Sequence, residues 1–277
     1  PMGNTMTLEM AKAAVKGEAL GKGAFTDMLT VSLSSTDYVG HSFGPNSVEA
    51  EDTYLRLDRD LADFFNFLDK EIGKGQWLFF ISADHGVAHV PGFLKENKLP
   101  GGTFNDRPHK KALNEILEKK FGHANLVLNF NNYQVHTDRH LIDSVGLDRD
   151  AVIDVIVKYC QKLPEVARAF DLSELNETTL PVKIKNMIEN GYNPDRGGDV
   201  QIILQPQYFG GGATGTTHGQ WYPYDAHIPL VWYGWNIKPG RSAKEVYMTD
   251  VAPTIAALLR IQMPNGTVGK VIDTICP

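Results

Sequence analysis

Five residues in three separated segments of the sequence have side chains that suit metal binding. They are Asp37 and His41, then Asp84 and His85, and finally His218. Carboxylate oxygen and imidazole nitrogen are atoms with which proteins bind Zn²⁺, and a catalytic zinc ion keeps one position open for water or substrate. Two carboxylates and three imidazoles therefore suit a two-zinc hydrolase site, although two metal ions need more ligands than these five.

Each of these residues lies in a short motif rich in glycine and small polar residues. The motifs are Ser-Ser-Thr-Asp-Tyr-Val-Gly-His (34–41), Ser-Ala-Asp-His-Gly (82–86) and Gly-Thr-Thr-His-Gly (215–219). A single Asp or His is more often a cap or a surface residue, but three such motifs, each expected after a strand, are far more specific. Because ligands bind at the carboxyl ends of strands in open α/β sheets, we expect the motifs to meet at one sheet edge.

The order strand, site loop, helix, strand, site loop predicts an α/β fold with a mostly parallel sheet flanked by helices. Residues 27–33 and 76–82 are the first two expected strands, and a loop carrying Asp37 and His41 follows the first. Ser47 is an expected N-cap for a helix to about residue 70, with an apolar face along it. That face comprises Leu57, Leu61, Phe64, Phe65 and Leu68. Further helices are expected at 7–19 and 249–259, and strands of the main part at 199–204 and 227–233.

Residues 109–196 mix helical and strand patterns like an inserted α+β subdomain. The catalytic α/β domain then comprises 1–108 and 197–277. Within the insertion the patterns predict helices at 109–120, 148–160 (capped by Asp148) and 178–189, and strands at 125–130 and 166–170. Asn131 and Asn132 are expected to form a turn into a further short strand.

Composition and charge narrow the classes of partner. The net charge of −6 gives no indication of a nucleic-acid partner, and no apolar run approaches the length of a membrane span. Cys160 and Cys276 are compatible with either a disulfide or two thiols. The opening Pro-Met-Gly-Asn is expected to lie in the middle of a longer protein.

Other residues of metal-binding type are expected to be structural. Five histidines are interpreted as surface or packing residues, namely His89, His109, His123, His136 and His140. Asp225 and His227, in Tyr-Asp-Ala-His-Ile-Pro, are alternative candidates for which a structural role at a strand start is favoured. Asp250 is expected to cap a helix.

The motifs resemble those of the alkaline phosphatase superfamily, and most of all its PafA-type branch from the bacterial periplasm. The segments that carry the resemblance are 36–45, 82–87, 215–219 and Thr-Asp-Val-Ala-Pro-Thr-Ile-Ala (249–256). The resemblance covers essentially the whole chain. It implies an alkaline-phosphatase-like fold and a periplasmic or secreted location.

The resemblance also implies two zinc ions and a reaction. Asp37, His41 and His218 would hold one zinc ion, and Asp84 and His85 the second. The implied reaction is hydrolysis of phosphate monoesters through a phospho-Thr or phospho-Ser intermediate.

The chain departs from the superfamily pattern in one respect. The superfamily has a further Asp ligand and a nucleophilic Thr or Ser before this region, and nothing here fits them. Thr5 and Thr7 have no strand before them, and Thr216 and Thr217 are expected to be turn residues. We therefore expect a C-terminal portion with no catalytic nucleophile of its own, inactive until joined to its N-terminal portion.

Two alternative functions remain open. A phosphodiesterase or nucleotide pyrophosphatase of the same superfamily would share these ligands, and the groups that discriminate diesters lie outside this chain. The other alternative is a metal-binding fragment without activity. A sulfatase or a cofactor-independent phosphoglycerate mutase is less favoured, because their metals or insertions differ.

Overall fold

Helices and strands alternate along most of the chain. The computed structural model describes residues 2–212 and 214–276. The α-helices in this part of the chain are α1 Met2–Gly17, α2 Ser35–Phe43, α3 Val48–Glu71, α4 Pro91–Glu96, α5 Asp106–Phe121, α6 Arg139–Ser144, α7 Arg149–Cys160, α8 Val182–Gly191, α9 Pro223–Ala226 and α10 Val251–Leu259. The strands are β1 Leu78–Ser82, β2 Gly102–Phe104, β3 Val127–Asn131, β4 Gln134–Thr137, β5 Val166–Asp171, β6 Val200–Leu204, β7 Tyr208–Gly210 and β8 Leu230–Gly234.

The elements belong to two compact units. The first unit comprises Pro1–Thr36, Asp52–Asp84 and Ile228–Pro277, and the second comprises Asp37–Glu51 and His85–His227. The division of the chain at residues 109 and 196 into a catalytic domain and an insertion stays a prediction.

In the first unit, the apolar face of α3 packs against α1. The shared buried cluster consists of Leu8, Ala11, Val15, Leu57, Phe64, Leu68 and Trp77, with Leu61 and Phe65 packed against it. The predicted face of the long helix is thus confirmed, because its apolar residues recur with the helical period. Strand β1 pairs with β8 in antiparallel orientation, from Leu78 opposite Gly234 to Ser82 opposite Leu230.

The second unit contains a four-stranded antiparallel sheet in the order β3-β4-β6-β5. Helices α5 and α7 contribute to its core, in which Leu113, Leu117 and Ile156 are fully buried. Every residue of β6 is buried. The prediction that 199–204 belongs to the main sheet is wrong, since a continuous apolar run suits any central strand, including one of a second sheet.

Three local signals in the sequence are confirmed. Ser47 Oγ accepts a hydrogen bond from the Ala50 amide at the start of α3, at 3.1 Å. The Asp148 carboxylate accepts one from the Asp150 amide at the start of α7, at 3.0 Å. The turn between β3 and β4 contains Asn132 with φ +48°, a conformation that asparagine tolerates better than most residues.

Two predictions about the first site motif are wrong. Residues 27–33 do not form a strand, and Asp37 and His41 lie in helix α2 rather than in a loop. A strand requires a neighbour for its amide and carbonyl groups, so apolar and β-branched residues alone do not form one. In the described residues, 27–33 has no such neighbour, and Leu29 and Val31 are 40% and 38% exposed.

The remaining candidates in the fold have structural roles. Cys160 and Cys276 are free thiols, and burial raises the pKa of Cys160 to about 12. The Asp250 carboxylate accepts hydrogen bonds from the amides of Tyr247 and Lys270, so its contacts are structural. The expectation that it caps the helix at 249–259 is wrong, because its side chain makes no cap hydrogen bond at the start of α10. In the described part of the chain, no helix combines the length and apolar character that crossing a membrane requires.

Candidate metal centre

Helix α2 places Asp37 and His41 one turn apart on the same face, since residues four apart are neighbours on a helix surface. His41 Nε2 lies 3.4 Å from Asp37 Oδ2. The Asp37 side chain is 43% exposed and the His41 side chain 37%, so both remain accessible to an ion or a substrate. The helix therefore aligns these two groups by its own geometry.

His218, in the loop after β7, joins this pair. One ligand atom from each of Asp37, His41 and His218 lies within 4.8 Å of the other two, and this is the one such cluster in residues 2–212 and 214–276. Two atoms bound to one tetrahedral zinc ion at 2.0–2.1 Å lie about 3.3–3.4 Å apart, which the Asp37–His41 separation matches. The residues present thus fit a zinc ion, and their role as its ligands stays a prediction.

A hydrogen bond determines which nitrogen of His41 is available. Its Nδ1–H donates to the carbonyl oxygen of Thr216 at 2.8 Å, because a carbonyl can only accept. In the neutral ring the lone pair is therefore on Nε2, the atom that faces Asp37. Such a contact with the second ring nitrogen is typical of histidines that bind metals.

His85 lies beside the same three residues. Its ring stacks on that of His218, with centroids 3.3 Å apart and an interplanar angle of 9°. Its Nδ1–H donates to the carbonyl oxygen of Gly86 at 2.8 Å, while its Nε2 lies 3.9 Å from Asp37 Oδ1. The two carboxylate oxygens of Asp37 therefore face different imidazoles, one on His41 and one on His85.

Asp84 follows the end of β1 and directly precedes His85 in the chain. Its side chain is exposed, and it is not a member of the cluster of Asp37, His41 and His218. Its predicted role as a ligand of a second metal ion stays a prediction that rests on its neighbour His85.

Burial lowers the pKa of His218 below its ordinary value, and the neighbouring His85 and His41 lower it further. The nearby carboxylates of Asp225 and Asp37 act in the opposite direction. The neutral imidazole, which is the form that binds a metal, is consequently favoured at neutral pH.

Thr216 lies in the motif at 215–219, and its hydrogen bonds reach the motif at 34–41 and the segment that follows the motif at 82–86. Its amide donates to the His41 carbonyl at 3.0 Å, and its buried hydroxyl donates to the Ala88 carbonyl at 2.6 Å. The Ala88 amide in turn donates to the Thr217 carbonyl at 3.2 Å. This network accounts for the Thr216 hydroxyl structurally and supports its exclusion as a nucleophile.

The other histidines considered in the sequence are not members of the cluster. His89 Nδ1 lies 2.6 Å from Asn46 Oδ1, and His109 Nδ1 lies 3.0 Å from the Tyr159 hydroxyl. Burial lowers the pKa of His136. The structural roles expected for these residues stay predictions.

Comparison with known proteins assigns the family. A family profile described as type I phosphodiesterase / nucleotide pyrophosphatase matches residues 3–225. The chain belongs to the type I phosphodiesterase / nucleotide pyrophosphatase family. The match includes all three motifs that contain the five candidate ligands.

Among curated relatives of this family member is alkaline phosphatase PafA from Elizabethkingia meningoseptica, 50% identical over 99% of this chain and 50% of the relative. A protein named calcium-transporting ATPase from Myroides odoratus is 49% identical over 99% of this chain and 50% of the relative. The crystal structure of wild-type PafA matches with a TM-score of 0.96, covering 100% of this chain and 53% of that one. These findings confirm the resemblance to PafA-type alkaline phosphatases and the α/β fold class, and the chain spans about half the length of the curated relatives it matches.

Two further contacts position the histidine segments in this phosphodiesterase-family chain. The Gly86 amide donates to the Asp225 carbonyl at 2.6 Å, and the Val87 amide donates to the Tyr224 carbonyl at 3.2 Å. A β-carbon on Gly86 would collide with the Tyr224 carbonyl oxygen. The glycine after His85 therefore allows the two backbones to approach.

Replacing Gly86 by alanine should lower the free energy of unfolding by about 1–3 kcal/mol, because the added methyl group forces the two backbone segments apart. Urea denaturation measures the change. Gly92→Ala is the matched control, since a β-carbon there meets nothing within 4 Å. Equal destabilisation by the two substitutions would contradict a requirement for close approach at Gly86.

Asp225 is the residue of this site whose contacts the sequence did not reveal. It is 2% exposed, and its Oδ2 accepts a hydrogen bond from the Gln220 amide at 2.7 Å. Burial raises the pKa of Asp225, against the opposing effect of the Gln220 and Gly219 amides and of the nearby His218 and His85. In the sequence, the available signal for this contact was the position of Asp225 seven residues after His218. The structural role at a strand start that was favoured for Asp225 did not include a contact with the loop that carries His218.

Proposed function

We propose that this chain supplies most of the metal ligands of a two-zinc alkaline phosphatase that hydrolyses phosphate monoesters. The single observation that carries the proposal is the convergence of Asp37, His41 and His218 from two distant segments into one cluster, in which the Asp37–His41 separation is zinc-like. In this proposal these three residues hold the first zinc ion. Asp84 and His85 contribute to the second, which needs further ligands.

The chemistry proposed for the site divides between metal and protein. When bound, zinc ions supply Lewis-acid polarisation of the phosphoryl group and stabilise charge on the attacking and leaving oxygens. The Asp37 carboxylate places negative charge between His41 and His85, because its two oxygens face these two rings, and it would offset the positive charge of a bound zinc ion. Thr216 keeps the His41 ring in the tautomer whose Nε2 lone pair is free.

The nucleophile is proposed to come from the part of the relatives that this chain does not match. We infer a Thr or Ser that forms a phosphorylated intermediate, supplied by the N-terminal portion of the same protein. The PafA relatedness supports this inference, since the chain matches 50% of that protein. A periplasmic or secreted location belongs to the same proposal.

A chimera tests this function directly. In it, the chain replaces the half of Elizabethkingia meningoseptica PafA with which it is 50% identical. We expect zinc-dependent release of p-nitrophenol from p-nitrophenyl phosphate by the chimera and none by the chain alone. Loss of activity on chelation and its return with Zn²⁺ provide the control. Hydrolysis by the isolated chain would contradict the inference that the nucleophile lies elsewhere.

The family description favours a second candidate, a phosphodiesterase or nucleotide pyrophosphatase. The rates of the chimera on p-nitrophenyl phosphate and bis-p-nitrophenyl phosphate would compare the two activities, but half of the chimera is PafA. The decisive comparison therefore uses this chain joined to its own N-terminal portion. A higher rate on the diester would favour the second candidate.

ATP should be tested as a substrate in the same assay, because the Myroides odoratus relative is named an ATPase. If neither ester is cleaved and zinc still binds, the third alternative, a metal-binding fragment without activity, is supported.

A further inference from the structure

Asp225 contacts two of the ligand-bearing segments with two different groups. Its backbone carbonyl accepts the Gly86 amide at 2.6 Å, directly after His85. Its carboxylate Oδ2 accepts the Gln220 amide at 2.7 Å, two residues after His218. One residue therefore links the backbones that carry the two stacked imidazoles.

The loop that carries His218 depends on a link of this kind, because the hydrogen bonds of a helix or a sheet do not hold it in place. Residues 216–220 lie outside helices and strands. A hydrogen bond from a backbone amide to a carboxylate is stronger than one between neutral groups, and burial at 2% exposure removes competition from water. Helix α9 fixes Asp225 itself, because the Asp225 amide donates to the Tyr222 carbonyl at 2.9 Å.

We propose that Asp225 is a positioning residue of the metal centre, whose carboxylate holds His218 against His85 through the Gln220 amide. It is not a ligand in this proposal, which rests on the function proposed above. Metal centres commonly depend on such supporting contacts, whose removal costs about 10–100-fold in metal affinity. The 3.3 Å separation of the two imidazole rings is the arrangement that Asp225 would maintain.

The test measures Zn²⁺ affinity and stability separately, in the chain and in the chimera with PafA. We expect Asp225→Ala to weaken Zn²⁺ binding about 10–100-fold, measured by competition with a chromophoric chelator. The Zn²⁺ affinity of Asp225→Asn should fall between that of Asp225→Ala and that of the unaltered protein, because the asparagine side-chain oxygen still accepts a hydrogen bond from a backbone amide.

The matched control is Asp138→Ala, which removes a carboxylate that accepts the Leu141 amide at 2.9 Å and caps α6. The control should lower the urea midpoint and leave the Zn²⁺ affinity of the folded protein unchanged.

Each outcome decides between the proposals. Unchanged Zn²⁺ affinity in folded Asp225→Ala overturns the positioning role while the proposed function stands. If Asp225→Ala does not fold, an affinity of Asp225→Asn equal to that of the unaltered protein overturns it instead. Absence of Zn²⁺ binding by the unaltered chimera overturns the proposed function and, with it, this inference.

Discussion

Replacing His218 by alanine should remove one of the two zinc ions proposed for the chimera and lower its hydrolysis of p-nitrophenyl phosphate by at least about a hundredfold. His218 is the one member of the cluster that does not lie on α2. Without it, Asp37 and His41 remain as a pair, and two protein ligands are fewer than the three typical of a catalytic zinc site. Loss of a supporting contact alone costs about 10–100-fold, so loss of a ligand should cost more.

The measurements for His218→Ala are zinc content by elemental analysis and initial rate at saturating substrate. His140→Ala is the control, because His140 is an exposed histidine near the start of α6 and outside the cluster. It should retain both zinc ions and full activity. An unaltered zinc content in His218→Ala would show that the residue is not a ligand.

Replacing Asp199 by alanine should have the largest effect on stability, a loss of about 2–5 kcal/mol in the free energy of unfolding. Asp199 is 3% exposed and accepts hydrogen bonds from the Thr137 amide (3.0 Å) and hydroxyl (2.6 Å). It also pairs with Arg139 Nε at 2.9 Å. The substitution leaves a buried amide and a buried hydroxyl without their acceptor, and it removes the countercharge of a guanidinium.

Urea denaturation of the whole chain, followed by circular dichroism, measures this loss. Asp150→Ala is the matched control, since the Asp150 side chain is 87% exposed and lies 3.3 Å from Arg149. An exposed pair of this kind contributes at most about 1 kcal/mol. Similar shifts of the urea midpoint for both variants would refute the importance assigned to burial.

The helices were largely predictable because their signals are local. The start of α3 after Ser47 and that of α7 after Asp148 follow from side chains that accept amides within three residues. The apolar face of α3 repeats with the helical period and is buried as expected. Such features depend on neighbours in the sequence, so the sequence alone reveals them.

Strand partners were less predictable, because pairing joins residues distant in the chain. The apolar run in β6 indicates a buried strand, yet it does not show that the neighbours are β4 and β5. Residues 27–33 have strand-like composition and form no strand in the described part of the chain. In both cases the missing information is the identity of the neighbour that accepts and donates the hydrogen bonds.

The candidate metal centre likewise combines features that the local sequence reveals with features that depend on residues distant in the chain. The sequence by itself determined the five candidate ligands, since their types and flanking glycines indicate metal chemistry without any coordinates. Only the tertiary structure decided that Asp37 faces both His41 and His85, that His218 stacks on His85, and that Asp225 links their segments. The physical reason is that residue type sets which atoms can bind a metal, whereas the distances between those atoms arise from backbone contacts between segments far apart in the chain.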